Sequence, residues 1–179
     1  GSRCKIGRDL GGYHYPYLFS SSSKDEHEVI NKIKLLRFFD PNVKFTQYDF
    51  EPPAGLSREL TPGRFAVVQP STPWRPRDWG VEKYHEVISR LIQELDLNIL
   101  VIGSQDEVIK NHELVGERIF NMTGKLGWSE TAHLIKQAAL FLGSDSGPAH
   151  LAAAVGTAAV VLMGPGEYPR FAPFNPEVP

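Results

Sequence analysis

The stretch AALFLGSDSGPAHLAAAVG (138–156) joins an apolar run to an alanine-rich run through eight mostly small or polar residues, GSDSGPAH (143–150). The apolar run has the length of a buried strand, and the alanine-rich run is typical of a helix that ends at Gly156. Pro148 suits the first turn of that helix, because its missing N–H would have no partner there. The stretch therefore predicts a strand, a tight turn and a helix.

The turn itself is open to three interpretations. Gly143 to Gly147 has the G-x-D-x-G pattern of a nucleophile elbow with Asp145 as the nucleophile. The base would then have to be His150, which lies on the same helix, so this interpretation is disfavoured. In a phosphate cradle, Asp145 or Ser146 caps the helix, Gly147 lets a ligand approach the backbone, and free amides face an anion. A purely structural turn would use the same residue types.

The rest of the chain repeats this alternation of strands and helices. Strands are predicted at 64–70, 97–103, 118–122, 140–143 and 158–164. Helices are predicted at 81–95, 105–115, 129–139 (capped by Ser129) and 148–155. Strands that are apolar along their whole length predict a parallel sheet with helices on both faces, a Rossmann-like α/β fold. Ligands are then expected beyond the carboxyl ends of the strands.

The first sixty residues differ from this pattern. Gly1-Ser2 is typical of the remnant of a removed tag. A capping box, Ser23-x-x-Glu26, predicts a helix that stops at Asp40-Pro41. Residues 43–50 read as a strand, and the segment 51–63 has the proline and glycine content of a linker.

A second polar loop leaves the first strand of the sheet, QPSTPWRPRDWG (69–80). It places the hydroxyls of Ser71 and Thr72 and the guanidinium groups of Arg75 and Arg77 at a strand's carboxyl end, a set suited to an oxyanion. The alternative is a solvated proline-rich loop whose tryptophans pack on the core. Two such loops at one sheet edge favour the phosphate cradle over a structural turn.

Composition and charge exclude several classes of protein. The formal net charge of −2 and the pI of about 6.3 give no basic field for nucleic acid. Cys4 is the only cysteine, which excludes a disulfide framework and fits the cytoplasm. The six histidines lack ligand spacing and no D-x-D occurs, so no catalytic metal is expected. The first strand is not followed by G-x-G-x-x-G, which disfavours a nicotinamide dehydrogenase.

Residues 64–168 resemble the heptosyltransferase family of glycosyltransferases, glycosyltransferase family 9. The segments that carry the resemblance are VVQPSTPWRPRDWGVEKYHEVISRLI, ILVIGSQDE, NMTGKLGWSETAHLIKQAALFLGSDSGPAHLAAAVG and VVLMGPGE. Its most specific part is D-[ST]-G-x-x-H followed by a helix of small residues and a glycine. The resemblance implies the C-terminal half of a two-domain GT-B fold.

The same resemblance implies how the chain is divided. Residues 1–60 would be the tag remnant, the end of the N-terminal domain and the interdomain segment. Residues 61–179 would be the donor-nucleotide-sugar-binding domain, incomplete at its C-terminus. In the family the catalytic base is a carboxylate near the start of the first domain, so no catalytic residue is expected here. The chain would be inactive alone.

The phosphate-binding residues that the resemblance implies come from the loop after the first strand. Ser71 and Thr72 would contact the donor phosphates. Arg77 falls near the family's phosphate-binding lysine, but the spacing has one extra residue, so Arg75 is an alternative for that role.

The other donor contacts that the resemblance implies come from later loops. Glu107 would reach the ribose, Lys125 and Leu126 would line the adenine pocket, and Asp145 would accept hydrogen bonds from sugar hydroxyls. The phosphate end would be completed by Ser146, Gly147 and His150.

The implied function is transfer of a sugar from a nucleotide-sugar, ADP-heptose, to a lipopolysaccharide-core or other glycan acceptor. No cofactor is expected besides this donor substrate. The partners would be the nucleotide-sugar and a glycolipid or glycan acceptor, with no nucleic acid. The expected location is the cytoplasm, with peripheral contact at the inner face of the cytoplasmic membrane. Two alternatives remain: a non-catalytic nucleotide-sugar-binding module and a sugar-nucleotide epimerase of GT-B type.

Overall fold

The structure, a computed structural model, describes residues 7–8, 19–20, 26–37, 39–44, 64–166, 168 and 170–174. The chain divides into two compact units: Gly1–Gln47 with Glu167–Ala172, and Tyr48–Gly166 with Pro173–Pro179. Residues 167–172 thus group with the first unit. The domain boundary at residue 60 and the roles of the two predicted domains stay predictions.

The described residues of the first unit form two short parallel strands, β1 (Gly7–Arg8) and β2 (Phe19–Ser20), and one helix, α1 (Glu28–Leu36). His27 caps this helix, since its Nδ1 accepts a hydrogen bond from the Val29 amide at 3.2 Å. The predicted cap at Ser23 lies outside the described residues, as does most of the predicted strand 43–50. The helix ends four residues before Asp40, and a turn follows in which the Asp40 amide donates to Leu36 O.

In the second unit, the part of the chain that the structure describes forms a five-stranded sheet and four α-helices. Its strands are β3 (Phe65–Gln69), β4 (Asn98–Val101), β5 (Ile119–Asn121), β6 (Leu140–Ser144) and β7 (Ala159–Leu162). Its helices are α2 (Val81–Leu95), α3 (Val108–Asn111), α4 (Trp128–Gln137) and α5 (Gly147–Val155). The strand order is β5-β4-β3-β6-β7, and every neighbouring pair is parallel. The predicted Rossmann-like α/β fold is confirmed.

Two local predictions are wrong. The helix predicted over 105–115 is a 3-10 turn at Gln105–Glu107 followed by the four residues of α3. The helix ends in a tight turn, in which the Asn111 carbonyl accepts hydrogen bonds from the Leu114 amide at 3.1 Å and from Nδ2 of Asn121 at 2.7 Å. The cap of α4 is Gly127 rather than Ser129. Glu130 determines this start, because its Oε2 accepts from the Gly127 amide at 2.7 Å.

The core lies on both faces of the sheet, which explains why the strands are apolar throughout. Alternate residues of β3 point to opposite faces. Phe65 and Val67 pack in one cluster with α4 and α5, and Ala66 and Val68 pack in the other with α2. All four side chains are fully buried. The sheet thus has no solvent-facing side at its centre.

Tyr84 is the largest fully buried side chain among the described residues, and we expect it to make the stability depend on pH above neutrality. Burial raises its pKa above 10.0, because the phenolate would lose its hydration. Above about pH 10 the unfolded chain releases this proton while the folded chain retains it. We therefore expect Tyr84 to lower the free energy of unfolding by up to about 1.4 kcal/mol per pH unit in that range.

The pH effect is tested by urea denaturation from pH 7 to 11. Tyr84→Phe should flatten the decline above pH 10, whereas Tyr168→Phe, at a residue that is 69% exposed, should follow the parent chain. Parallel curves for the parent and Tyr84→Phe would contradict the expectation.

Candidate functional site

A cavity of about 330 Å³ lies at the carboxyl edge of the sheet in the second unit. The loops after β3, β4, β5 and β6 all contribute to it, because parallel strands end at the same edge. It brings together five of the residues that the sequence singles out: Thr72, Glu107, Leu126, Ser146 and Gly147. The cavity therefore lies at the edge of the sheet where the sequence predicts a ligand site.

The N-terminus of α5 borders this cavity and presents two unpaired amides. The amides of Ala149 and His150 donate to Ser146 O at 3.1 and 3.3 Å. Within the described part of the chain, the amides of Ser146 and Gly147 have no acceptor. Two free N–H groups and the positive end of the helix dipole make this end attractive to an anion.

The predicted side-chain cap of α5 is wrong. Ser146 is the N-cap residue, but its side chain makes no capping hydrogen bond. Its Oγ instead lies 3.0 Å from Ser144 O and also bonds with the side chain of Gln69. Gln69 reaches it because the register of β3 and β6 pairs Gln69 with Gly143. The first amides of the helix are left without a side-chain acceptor for this reason.

Arg77 and Asp145 form an ion pair beside the start of α5. Nη2 of Arg77 lies 3.2 Å from Oδ2 of Asp145, and Nη1 donates to the Asp145 carbonyl at 3.2 Å. The Asp145 side chain is 4% exposed, and that of Arg77 is 29% exposed. His150 approaches the same carboxylate, with Nε2 3.9 Å from Oδ1. Arg75 is exposed and does not line the cavity.

The spacing in the sequence leaves open whether Arg75 or Arg77 lies near the predicted phosphate site, and the ion pair with Asp145 answers part of this question. Arg77, not Arg75, reaches the turn before α5. Its terminal nitrogens contact Asp145, so contact of Arg77 with phosphate stays a prediction.

The loop after β7 packs against Arg77 through Gly164, and the sequence alone does not predict this contact. A Cβ on Gly164 would lie 2.8 Å from Cγ of Arg77 and 3.1 Å from its Cα. Only a glycine lets the two loops approach this closely. On another side, the Trp74 ring lies 4.6 Å from Cζ of Arg77, a cation–π contact.

A buried hydrogen-bond network lines the cavity at the end of β4. Ser71 Oγ donates to Glu107 Oε1 at 3.0 Å. The Ser104 amide and hydroxyl donate to Glu107 Oε2 at 2.6 and 2.8 Å. Ser71 and Glu107 are 1% and 3% exposed. The carboxylate thus joins two loops, and because its oxygens can accept further bonds, the predicted contact with a ribose remains open.

Lys110 is a residue of this region that sequence reasoning missed. Its Nζ donates to the Thr72 carbonyl at 3.1 Å and pairs with Asp78 at 2.9 Å. It thereby connects α3 to both halves of the loop after β3. A lysine on a short helix gives no local signal of this role.

The two residues predicted to line an adenine pocket differ in position. Leu126 lines the cavity and packs against the core. Lys125 is exposed, lies outside the lining, and donates to the Asn121 carbonyl at 2.9 Å. Trp128, which sequence reasoning missed, does line the cavity.

The described residues contain no group of three or more His, Cys, Asp or Glu side chains able to hold a metal ion. The expectation of no metal or cofactor stays a prediction. In the same part of the chain, every helix is too short or too polar to cross a membrane.

An open parallel sheet with helices on both faces and a cavity at its carboxyl edge defines a Rossmann-like α/β domain. The chain belongs to glycosyltransferase family 9 (heptosyltransferase), whose family model matches residues 24–178. The predicted family is confirmed.

Curated relatives support the family assignment. The chain is 30% identical over 121 residues to lipopolysaccharide heptosyltransferase 3 of Escherichia coli (strain K12), covering 64% of this chain and 35% of the relative. It is 32% identical over 117 residues to the lipopolysaccharide core heptosyltransferase OpsX of Haemophilus influenzae, covering 61% and 33%. The chain thus spans about a third of the length of these two relatives.

Solved structures share the fold. A glycosyl transferase family 9 protein from Veillonella parvula matches with a TM-score of 0.71 at 16% identity, covering 87% of this chain and 49% of the other. Escherichia coli heptosyltransferase WaaC with ADP-2-deoxy-2-fluoro heptose matches with a TM-score of 0.64 at 20% identity, covering 81% and 48%. These matches confirm the predicted GT-B type of Rossmann-like fold.

Proposed function

We propose that the chain forms the donor-binding part of a glycosyltransferase that moves a sugar from ADP-heptose to a lipopolysaccharide-core acceptor. The main support for this proposal is the two unpaired amides of Ser146 and Gly147, which lie beside the cavity and next to the Arg77–Asp145 pair. The relatives are named as lipopolysaccharide heptosyltransferases, and a structural neighbour was solved with an ADP-heptose analogue. The protein would work in the cytoplasm, at the inner face of the membrane that carries a lipid-linked acceptor.

The chemistry of transfer explains why these amides matter. The acceptor hydroxyl attacks the anomeric carbon and loses its proton, while the bond from that carbon to the diphosphate breaks. The diphosphate leaves with the electron pair and gains negative charge. Fixed amide dipoles stabilise such charge without having to reorganise. The step also needs a base that takes the proton of the acceptor hydroxyl.

The remaining contacts follow the shape of the site. Glu107 and Leu126 line the cavity and would meet the ribose and the base. Asp145, held by Arg77, would accept hydrogen bonds from hydroxyls of the donor sugar. Arg75 and Lys125 lie outside the cavity lining and would reach the donor only from solvent.

Calorimetric titration of the chain with ADP, GDP and UDP tests donor binding. We expect saturable binding of ADP. A second titration with ADP-heptose tests Asp145, whose proposed partners are the hydroxyls of the donor sugar. Asp145→Ala should weaken the binding of ADP-heptose about tenfold or more, since a hydrogen bond to a charged group contributes about 1.5–3 kcal/mol. His150→Ala should weaken it by a smaller factor. His112→Ala, at an exposed histidine outside the cavity lining, should not change it. A folded sample that gives no heat with any nucleotide would contradict the proposal.

Transfer is tested on the protein encoded by the native gene, given ADP-heptose and a lipopolysaccharide-core acceptor. A glycosylated acceptor supports the proposal. Release of an epimerised sugar would instead identify an epimerase, and binding without turnover would identify a non-catalytic module.

A further inference from the structure

Trp128 is a large aromatic residue held in a fixed place without being buried. It is the first residue of α4, and 66% of its surface is exposed. The hydrogen bond from the Gly127 amide to Glu130 fixes the turn that carries it. Exposing an indole forgoes the stabilisation that its burial would provide. An exposed aromatic on the wall of a cavity is typical of a ligand contact.

The indole of Trp128 rests on the start of α5. A Cβ on Gly147 would lie 2.5 Å from Cη2 and 3.1 Å from Cζ3 of the ring. The three ring atoms nearest to that position all belong to the six-membered ring of the indole. The ring is therefore adjacent to the two unpaired amides, with most of its surface accessible.

The cavity beside the ring suits a flat and uncharged group. Ile102, Leu126 and Pro148 contribute apolar surface to its wall. Glu107 is the one charged side chain of the lining, and its oxygens already accept hydrogen bonds from Ser71 and Ser104. In a nucleoside diphosphate the base lies one ribose away from the phosphates. The apolar wall and the residues of the unpaired amides, Ser146 and Gly147, border the same cavity, so one ligand can contact both.

We propose that Trp128 stacks on the base of the donor nucleotide and favours a purine over a pyrimidine. The inference rests on the proposed function and adds a residue that determines specificity. A bicyclic base overlaps the indole over a larger area than a monocyclic one, so stacking contributes more to its binding. Removal of an aromatic side chain that stacks on a base weakens binding from about fivefold to more than a hundredfold.

The test compares the parent chain, Trp128→Phe and Trp128→Ala in calorimetric titrations with ADP and UDP. Trp128→Ala should weaken ADP binding about tenfold and UDP binding less, so that the preference for ADP shrinks. Trp128→Phe should retain most of the affinity. Ile109→Ala is the control, because Ile109 is 82% exposed and does not line the cavity. Thermal denaturation checks that each variant is folded.

Tryptophan fluorescence gives a second readout that locates the contact. ADP should quench the emission of the parent chain and of Trp79→Phe, since Trp79 packs against Tyr84 and lies outside the cavity lining. In Trp128→Phe the quenching should be lost although ADP still binds.

Three outcomes would overturn the inference, and only the last of them also overturns the proposed function. If the parent chain binds ADP and Trp128→Ala binds it equally well, the stacking role is wrong and the donor site stands. The same holds if ADP and UDP lose affinity equally. If the parent chain binds no nucleotide, the proposed function fails and the inference with it.

Discussion

Replacing Arg77 with alanine is expected to lower the free energy of unfolding by about 2–3 kcal/mol. The change leaves Asp145 buried, 4% exposed, without its guanidinium partner. Breaking a fully buried ion pair from one side costs about 3–5 kcal/mol. The expected loss is smaller here because Arg77 is 29% exposed, so water can reach part of the vacated space. Urea denaturation at pH 7 measures the change.

Two further variants serve as controls: one makes residue 145 neutral, and the other breaks an ion pair on the surface. Adding Asp145→Asn to Arg77→Ala should restore part of the stability, because the buried carboxylate charge is then gone. Arg90→Ala removes an arginine from an exposed pair with Glu94 on α2 and should change stability little. If Arg77→Ala costs no more than Arg90→Ala, the Arg77–Asp145 pair does not hold the turn before α5.

Replacing Phe141 with alanine is expected to cost about 3–5 kcal/mol, the range for deleting a buried aromatic side chain. Phe141 is fully buried in β6, which pairs with β3 and β7. Its ring covers Gly143, where a Cβ would lie 2.9 Å from Cζ. The ring thus fills the space that the glycine leaves open, and the substitution would leave a cavity directly beneath the predicted donor loop.

Chemical denaturation of Phe141→Ala and Phe141→Leu measures this effect. The leucine variant should lose less stability, because it leaves a smaller cavity. Leu95→Ala, at a position that is 58% exposed, should remain close to the parent. A loss in Phe141→Ala no larger than that in Leu95→Ala would contradict the packing argument.

The strands and long helices of the second unit are predictable from the sequence, because each depends on a local pattern. The helix α2 has the predicted bounds, 81–95, since its apolar residues recur on one face throughout. The predicted helix 105–115 is shorter in the structure, where the Asn111 carbonyl ends the helix in a turn with Leu114 and also accepts a hydrogen bond from the side chain of Asn121 on β5. Local periodicity contains no information about such a contact.

The candidate site divides in the same way. Its place at the carboxyl edge, its two polar loops and the free amides before Pro148 are predictable from strand–turn–helix order and residue type. The ion pair of Arg77 is not, because it joins residues 68 positions apart. The contact between the indole of Trp128 and Gly147 is not predictable either, because a residue of either type is also typical of an ordinary helix start.

By itself, the sequence determined that this chain forms a parallel α/β sheet of the heptosyltransferase family with an anion-attracting turn at Asp145–Pro148. Spacing and residue type suffice for that, because strands, turns and helix starts depend on neighbours in the chain. Only the tertiary structure decided that Arg77 rather than Arg75 meets Asp145, and that Trp128 forms a wall of the cavity. The physical reason is that both arrangements depend on how separate loops converge where the strands end.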